Sequence, residues 1–147
     1  MGPVTDDESL DLPGGVLERM DRIGLEFLAE FLGRATRRRP ENVEALTELA
    51  TTLTCLGRIE EGLVVDERLV RLPPANATAH YNLACSLALL KRSEPALAAL
   101  ERAVELGYDD AEHLLADEDL YELREAERFR ALVQRLQGGN PVDQAGS

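Results

Sequence analysis

The sequence contains no tryptophan, few other aromatic residues and no long uncharged run. Phe and Tyr together account for 4% of the 147 positions. No stretch approaches the ~18 uncharged apolar residues that a membrane-spanning helix needs, so we expect no membrane partner. Residues 1–12 are acidic and lack an apolar run, which is unlike a secretory signal. These absences favour a cytoplasmic location.

Cysteine is nearly absent, and its two occurrences stand apart from each other. Cys55 and Cys85 form no CxxC pair, and neither lies in a Cys/His cluster with metal-ligand spacing. Each is found among apolar residues in a segment with helical periodicity, where cysteine often acts as a small apolar group. Cysteine usage therefore gives no sign of a metal site or a disulfide framework.

Basic residues are outnumbered by acidic ones. The 16 Lys and Arg stand against 28 Asp and Glu, which gives a formal net charge of −12. This charge argues against a nucleic-acid partner, because phosphate contacts need a basic surface. It argues equally against an anionic lipid surface. A basic or polar protein partner stays open, as does a role of the charge in solubility alone.

What the sequence does have is a helix-forming composition. Hydrophobic residues make up 44% of it, and Ala, Leu, Glu and Arg, which lose little on entering a helix, dominate. We expect flexible tails at 1–15 and 138–147 around one all-α domain. Apolar residues recur every three or four positions in 16–38, which predicts a helix there. Gly24 leaves open whether this segment is one helix or two.

A repeated pattern follows this segment. The stretch 43–76 superimposes on 77–110 without a gap, and Pro40 and Pro74 precede the two stretches at the same distance. Each stretch contains two helical segments joined by a short turn, which is typical of helical repeat proteins. The matched positions include Leu49-Ala50 with Leu83-Ala84, Leu53 with Leu87, Leu56 with Leu90 and Leu63 with Leu97.

These stretches resemble the tetratricopeptide repeat (TPR) family. Its repeats carry a Leu-Gly/Ala pair in the first helix, a turn Gly, a small residue and then an Ala in the second helix, and a final Pro. The corresponding residues are Leu49-Ala50, Gly57, Gly62, Leu69 and Pro74, then Leu83-Ala84, Lys91, Ala96, Ala103 and Tyr108. Leu69, Lys91 and Tyr108 depart from this pattern, and Asp66 stands where an aromatic residue or Leu is usual.

The resemblance covers about residues 26–136 and implies a right-handed α-α superhelix of antiparallel helix pairs. It divides a single domain, 16–137, into a partial first repeat (16–42), two full repeats (43–76 and 77–110) and a capping unit (111–137). The capping unit is expected to contain a short helix, an acidic loop and a closing helix. Four apolar residues of the closing helix would cover the end of the stack: Phe129, Leu132, Val133 and Leu136.

Sequence motifs for catalysis are missing. No Gly-rich phosphate loop, nucleophile elbow or HExxH occurs, and we interpret His80 and His113 as structural or exposed. The acidic residues between Asp109 and Glu122 lack the spacing of a calcium loop. We interpret them as a solvated face, in which Asp119 caps the following turn. The prediction is no catalytic residue, no cofactor and no metal ligand.

The resemblance implies that a partner binds in the concave groove lined by the first helix of each repeat. Helical spacing puts the polar residues of that helix opposite its leucines. Tyr81 and Asn82 are the most attractive pair, an aromatic surface beside an amide that both donates and accepts, although Asn82 could bond only within its own stack. The predicted groove residues are Glu44, Thr47, Glu48, Thr51, Thr54, Thr78, Tyr81, Asn82, Cys85 and Leu89.

We therefore expect a non-catalytic protein-interaction module or scaffold that binds a peptide or helix of another protein. Two alternatives stay open. The amphipathic 16–38 helix could make the chain a self-associating structural adaptor, and hence a homo-oligomer. An open apolar groove would suit a chaperone-like holder of an apolar segment, although the threonines argue against it. An enzyme is the interpretation that the sequence favours least.

Overall fold

The computed structural model describes residues 21–138, and this part of the chain is helical and contains no strand. The all-α expectation is therefore confirmed for these residues. None of the described helices is both long and apolar enough to cross a membrane. Residues 1–20 and 139–147 lie outside the described part. They include the predicted tail 1–15, the predicted tail 138–147 apart from Gly138, and residues 16–20 of the predicted 16–38 helix.

Seven α-helices and one 3-10 helix follow one another in the described residues. Their order is α1 Arg22–Arg38, α2 Val43–Cys55, α3 Ile59–Leu69, α4 Ala77–Leu89, α5 Ser93–Glu105, α6 Ala111–Ala116, the 3-10 helix Glu118–Leu123 and α7 Glu127–Gly138. Helix α1 begins at Arg22, after Asp21 accepts the backbone N–H of Gly24 at 2.9 Å as its cap, so the predicted 16–38 helix is wrong at Asp21. From Arg22 onward it is one helix that runs without a break through Gly24 and Gly33.

Helix starts recur with the period of the sequence pattern. Asn42, Asn76 and Asp110 precede α2, α4 and α6, and each side-chain oxygen accepts the backbone N–H three residues ahead, at 3.1, 3.2 and 2.9 Å. These caps satisfy N–H groups that have no partner within the helix. The helices α3, α5 and α7 follow with the same period, at Ile59, Ser93 and Glu127. The period of helix starts therefore continues into 111–138.

The turn between α2 and α3 and the turn between α4 and α5 each contain a residue in the left-handed region of φ. Gly57 has a φ of +79°, and Lys91, at the matched position, has a φ of +61°. Glycine adopts this conformation readily, whereas a residue with a Cβ loses roughly 1–2 kcal/mol. Lys91 stands at the position matched to Gly57, and the same backbone bond closes both turns, from Arg58 to Leu53 and from Arg92 to Leu87. The left-handed backbone conformation is therefore kept at this position of the turn even where the residue is not glycine.

The described residues fall into two compact units, one ending at Val65 and one beginning at Asp66. In the first unit α1 packs on α2. Arg58 makes two ion pairs there, with Glu61 at 2.7 Å and with Glu26 of α1 at 3.0 Å. The two helices bury apolar side chains between them: Leu25, Ala29 and Leu32 of α1, and Leu46, Leu49 and Leu53 of α2.

In the second unit α4 packs on α5 and on the 3-10 helix, and α7 packs on α5 and α6. Ala84, Ala96 and Ala103 are fully buried, which lets α4 and α5 approach closely. Arg128 joins α7 to α5 through a two-pronged contact with Glu101, at 2.7 and 2.9 Å. Of the residues expected to cover the end of the stack, Phe129, Leu132 and Val133 are buried and Leu136 is half-buried.

Candidate functional site

Thr54 of the predicted groove residues of α2 lies against Gly62 of α3, and the other four share one side of the helix. Glu44, Glu48 and Thr51 are exposed, and Thr47 and Thr54 are half-buried. Each of the three threonine hydroxyls donates to the carbonyl oxygen four residues earlier, at 2.8 to 3.0 Å. Because a hydroxyl has one hydrogen and two lone pairs, each keeps its capacity to accept. The α2 face therefore offers hydroxyl and carboxylate acceptors to a partner.

An open depression of about 570 Å³ lies at the start of this face. Leu32, Val43 and Ala45 form its apolar part, and Val43 is 37% exposed. Three of the predicted groove residues complete the lining together with Asn42: Glu44, Thr47 and Glu48. The structure thus brings these three together around an apolar floor. Such a combination suits an amphipathic segment that carries hydrogen-bond donors.

The α4 face is different, because two of its predicted groove residues are covered. Tyr81 is 5% exposed and Cys85 is 9% exposed. Thr78 and Leu89 are exposed and Asn82 is half-buried. The Tyr81 hydroxyl donates to Oδ2 of Asp117 at 2.5 Å, and the Cys85 thiol lies 3.6 Å from the same oxygen. In this conformation Tyr81 and Cys85 are interior groups and are closed to a partner.

Asp117 is the centre of the group that covers this face. Its Oδ1 accepts the backbone N–H of Asp119 at 3.0 Å and so caps the 3-10 helix. The expectation that Asp119 caps a turn is therefore wrong for this helix, because Asp117 directly precedes the helix and Asp119 lies within it. The Tyr81 ring stacks on Tyr108, with 4.5 Å between ring centroids, and His113 lies 5.5 Å from Tyr81.

Burial controls the protonation of these groups. It is the main cause that raises the pKa of the Tyr81 phenol and the Cys85 thiol, with the negative charge of Asp117 adding to both. Burial also raises the pKa of Tyr108 to about 12. Burial and the neighbouring Asp117 raise the pKa of Asp119. The two phenols and the thiol are therefore uncharged at neutral pH.

The arrangement of cysteine, histidine and aspartate here does not favour nucleophilic catalysis. Nε2 of His113 lies 3.6 Å from the same Asp117 oxygen that the Cys85 thiol approaches. The imidazole is thus placed beside the carboxylate and does not bridge it to the thiol, as a base that activates sulfur would. A thiol with a raised pKa is also a poor nucleophile.

Cys85, Asp117 and Asp119 form a group of metal-ligand type, with their ligand atoms within 4.8 Å of one another. Both oxygens of Asp117 already accept hydrogen bonds, from Tyr81 and from the Asp119 backbone. This favours a structural latch between α4 and the 3-10 helix over a cation site. Sequence reasoning missed the group because Cys85 and Asp117 are 32 residues apart, and no local spacing signals such a meeting.

A second interior carboxyl lies in α3. Asp66 is 2% exposed, its Oδ2 accepts the Ser86 hydroxyl at 2.6 Å, and its Oδ1 has no hydrogen-bond partner among the described residues. Burial raises the pKa of Asp66 to about 6. His80, the other histidine considered above, is half-buried, and burial with the nearby Arg102 lowers its pKa.

The first unit also has an exposed apolar stripe on α1. Ile23, Phe27 and Phe31 are spaced four residues apart and are 80%, 68% and 52% exposed. Phe27 borders a groove of about 810 Å³, together with Val64 of α3, which is 57% exposed. The groove floor includes Ala29, Gly33, Leu49, Leu53 and Val65, and its rim carries Glu26, Glu30, Arg37, Arg58 and Glu61.

Comparison with known proteins adds no assignment. The sequence matches no family model, and a comparison with curated proteins also gives no match.

Proposed function

We propose that this chain is a non-catalytic interaction module of the TPR type, a right-handed α-α superhelix that holds a segment of another protein. The recurrence of capped helix starts at Asn42, Asn76 and Asp110 supports the repeat architecture, because each pair begins with the same local interaction. A cytoplasmic scaffold is the setting that the composition favours.

The observation that carries the binding proposal is the acceptor-rich α2 face around its depression. Thr47 and Thr51 use their hydrogens within the helix, and Glu44 and Glu48 are exposed carboxylates. A partner must therefore supply the donors, and Lys or Arg side chains do so with charge complementarity. Leu32 and Val43 offer an apolar contact beside them. We assign the partner's segment as basic and amphipathic.

The chaperone-like alternative requires a broad apolar face. The exposed residues among those predicted for the groove on α2 are two carboxylates and a hydroxyl, Glu44, Glu48 and Thr51, so a purely apolar segment would leave them without partners. The α2 face therefore favours the basic segment over the apolar one.

A peptide with alternating Lys and Leu at helical spacing tests the proposal directly. We expect fluorescence anisotropy to show binding that weakens as salt is added, because the contacts are largely ionic. Glu44→Lys/Glu48→Lys should weaken it about tenfold or more, since two attractive charges become repulsive.

The matched control is Glu60→Lys/Glu67→Lys, which makes the same change of net charge at two exposed positions of α3. Equal loss of binding in the two double variants would mean that net charge alone attracts the peptide, and it would remove the α2 face from the proposal. Circular dichroism of both variants checks that the fold is kept.

A further inference from the structure

The outer side of α1 is apolar where a surface helix is normally polar. Ile23, Phe27 and Phe31 follow one another along it, while Leu25 and Leu32 of the same helix are buried against the rest of the unit. Single exposed apolar side chains are ordinary, but a contiguous patch marks an interaction surface. This patch shares no lining residue with the α2 depression.

The area of the patch fits a small interface between two copies. Ile23, Phe27, Phe31 and Val64 are each more than half exposed, so together they leave roughly 450 Å² of apolar surface in water. Two such patches that face each other, together with their polar rims, would bury roughly 1,000 Å² or more of accessible surface. This area is at the lower end for a specific protein interface. A weak, concentration-dependent dimer is the size of assembly that this area supports.

The patch is also self-complementary in shape. Phe27 and Phe31 project from α1, and the groove of about 810 Å³ lies directly beside Phe27. At Gly33 in the groove, an added Cβ would meet only an Arg37 nitrogen at 3.8 Å, so the floor is open there. A two-fold interface needs one surface that holds both the projection and the depression.

Charge along α1 selects the direction of pairing. Arg22 lies at its start, Glu26 and Glu30 stand in its middle, and Arg34, Arg37 and Arg38 crowd its last turns. Parallel pairing would bring like charges together, whereas antiparallel pairing turns the basic end of each helix toward the acidic part of the other.

We infer that α1 pairs antiparallel with α1 of a second copy, forming a two-fold dimer in which Phe27 and Phe31 of each chain enter the groove of the other. The dimer uses a surface separate from the α2 face, so its failure would leave the proposed function standing.

Sedimentation of the full chain from ~1 to ~500 µM tests the dimer, since this range covers the affinities of small interfaces. The wild-type chain should move from monomer to dimer across it. Phe27→Glu should raise the dissociation constant at least about a hundredfold, because each dimer loses two phenyl rings and gains two buried carboxylates. The exposed position of Phe27 lets this variant keep its fold, which circular dichroism checks.

Leu115→Glu is the matched control, because Leu115 is 40% exposed on α6 and the change of charge is the same. It should dimerise like the wild type. A chain that stays monomeric at the highest concentration would overturn the inference and would indicate another cover for the patch, such as residues 1–20. Equal weakening by the two variants would overturn it as well.

Cysteine crosslinking tests the direction of pairing. In a Cys55→Ser background, oxidation of a mixture of Ile23→Cys and Arg38→Cys chains should give more mixed dimer than either chain gives alone. When the last turns of each α1 face Glu26 and Glu30 of the other copy, position 23 of one helix lies near position 38 of the other. Crosslinking chiefly between identical variants would overturn the antiparallel arrangement.

Discussion

Helices α2 and α4 start alike and end up with different surfaces. Both have 13 residues, both follow an asparagine cap, and Val43 and Ala77 open them at matched positions of the repeated pattern. Thr47 and Thr51 of α2 have Tyr81 and Cys85 as their counterparts in α4. The threonines bond within their own helix, whereas Tyr81 is closed in by Asp117. The two helices therefore begin in the same way but present different surfaces.

The reach of the side chain explains the difference. A threonine hydroxyl lies close enough to its own backbone to donate to the previous turn. A tyrosine hydroxyl lies at the far edge of the ring and needs a distant partner once the ring is buried. Asp117 supplies that partner and caps the 3-10 helix at the same time. At Tyr81 and Cys85 the α4 face is thus structural, and the proposed binding therefore depends on the α2 face.

Removing the Asp117 side chain should expose the α4 face and so make it more like the α2 face. Asp117→Ala deprives the Tyr81 hydroxyl, the Cys85 thiol and the Asp119 N–H of their acceptor. We expect the free energy of unfolding to fall by about 4 kcal/mol, the sum of a lost cap and two donors left without a partner. Urea unfolding followed by circular dichroism measures it.

Thr51→Ala on α2 is the control for this prediction. Its hydroxyl is exposed and bonds only its own helix, so its loss should change stability by less than about 0.5 kcal/mol. Similar losses for the two variants would contradict the distinction between a structural α4 face and an open α2 face.

A comparison of α3 with α5 gives a pH dependence. Asp66 is buried in α3 where the matched position of α5 holds the buried Leu100. Because the folded state raises the pKa of Asp66 from 3.8 to about 6, the folded chain binds more protons than the unfolded chain between these values. The stabilisation from protonated Asp66 is therefore complete below about pH 4 and is lost as the pH rises to about 6. Over this range the free energy of unfolding falls by up to about 3 kcal/mol.

Asp66→Asn removes this titration and should flatten the dependence in that window. The measurement is the difference in urea unfolding free energy between wild type and variant at intervals from pH 4 to 7. Groups that both chains share, such as Asp119 with its raised pKa and Glu101 with its lowered pKa, cancel in the difference. A difference that does not change with pH would show that Asp66 does not titrate there.

The smallest expected effect concerns the two turns. Lys91→Gly should raise the free energy of unfolding by about 0.5–1 kcal/mol, because glycine relieves the left-handed strain while adding some entropy to the unfolded chain. The exposed contact of Lys91 with Glu122, at 3.4 Å, is worth little. Gly57→Ala should lower stability by a similar amount. Thermal unfolding of the two variants measures both effects. A Gly57→Ala variant that is more stable than the wild type would contradict the prediction.

Part of the candidate site follows from sequence and part does not. Helical spacing placed Glu44, Thr47 and Glu48 on one face, and the structure finds them around one depression. The same spacing placed Tyr81 beside Asn82 as a binding pair, yet Tyr81 is interior. The difference is Asp117, which is 36 residues away along the chain. The sequence also marked Asp66 as unusual without indicating that it is buried.

The sequence by itself determined that the described residues are helical and that helix starts recur with the period of the repeated pattern. Caps, turn residues and helical periodicity act within about four residues, so local reasoning captures them. Tertiary structure alone decided which polar face is closed by Asp117, which carboxyl is buried at Asp66 and which apolar stripe of α1 stays in water. Burial depends on segments far apart in the chain, and only their packing brings such segments together.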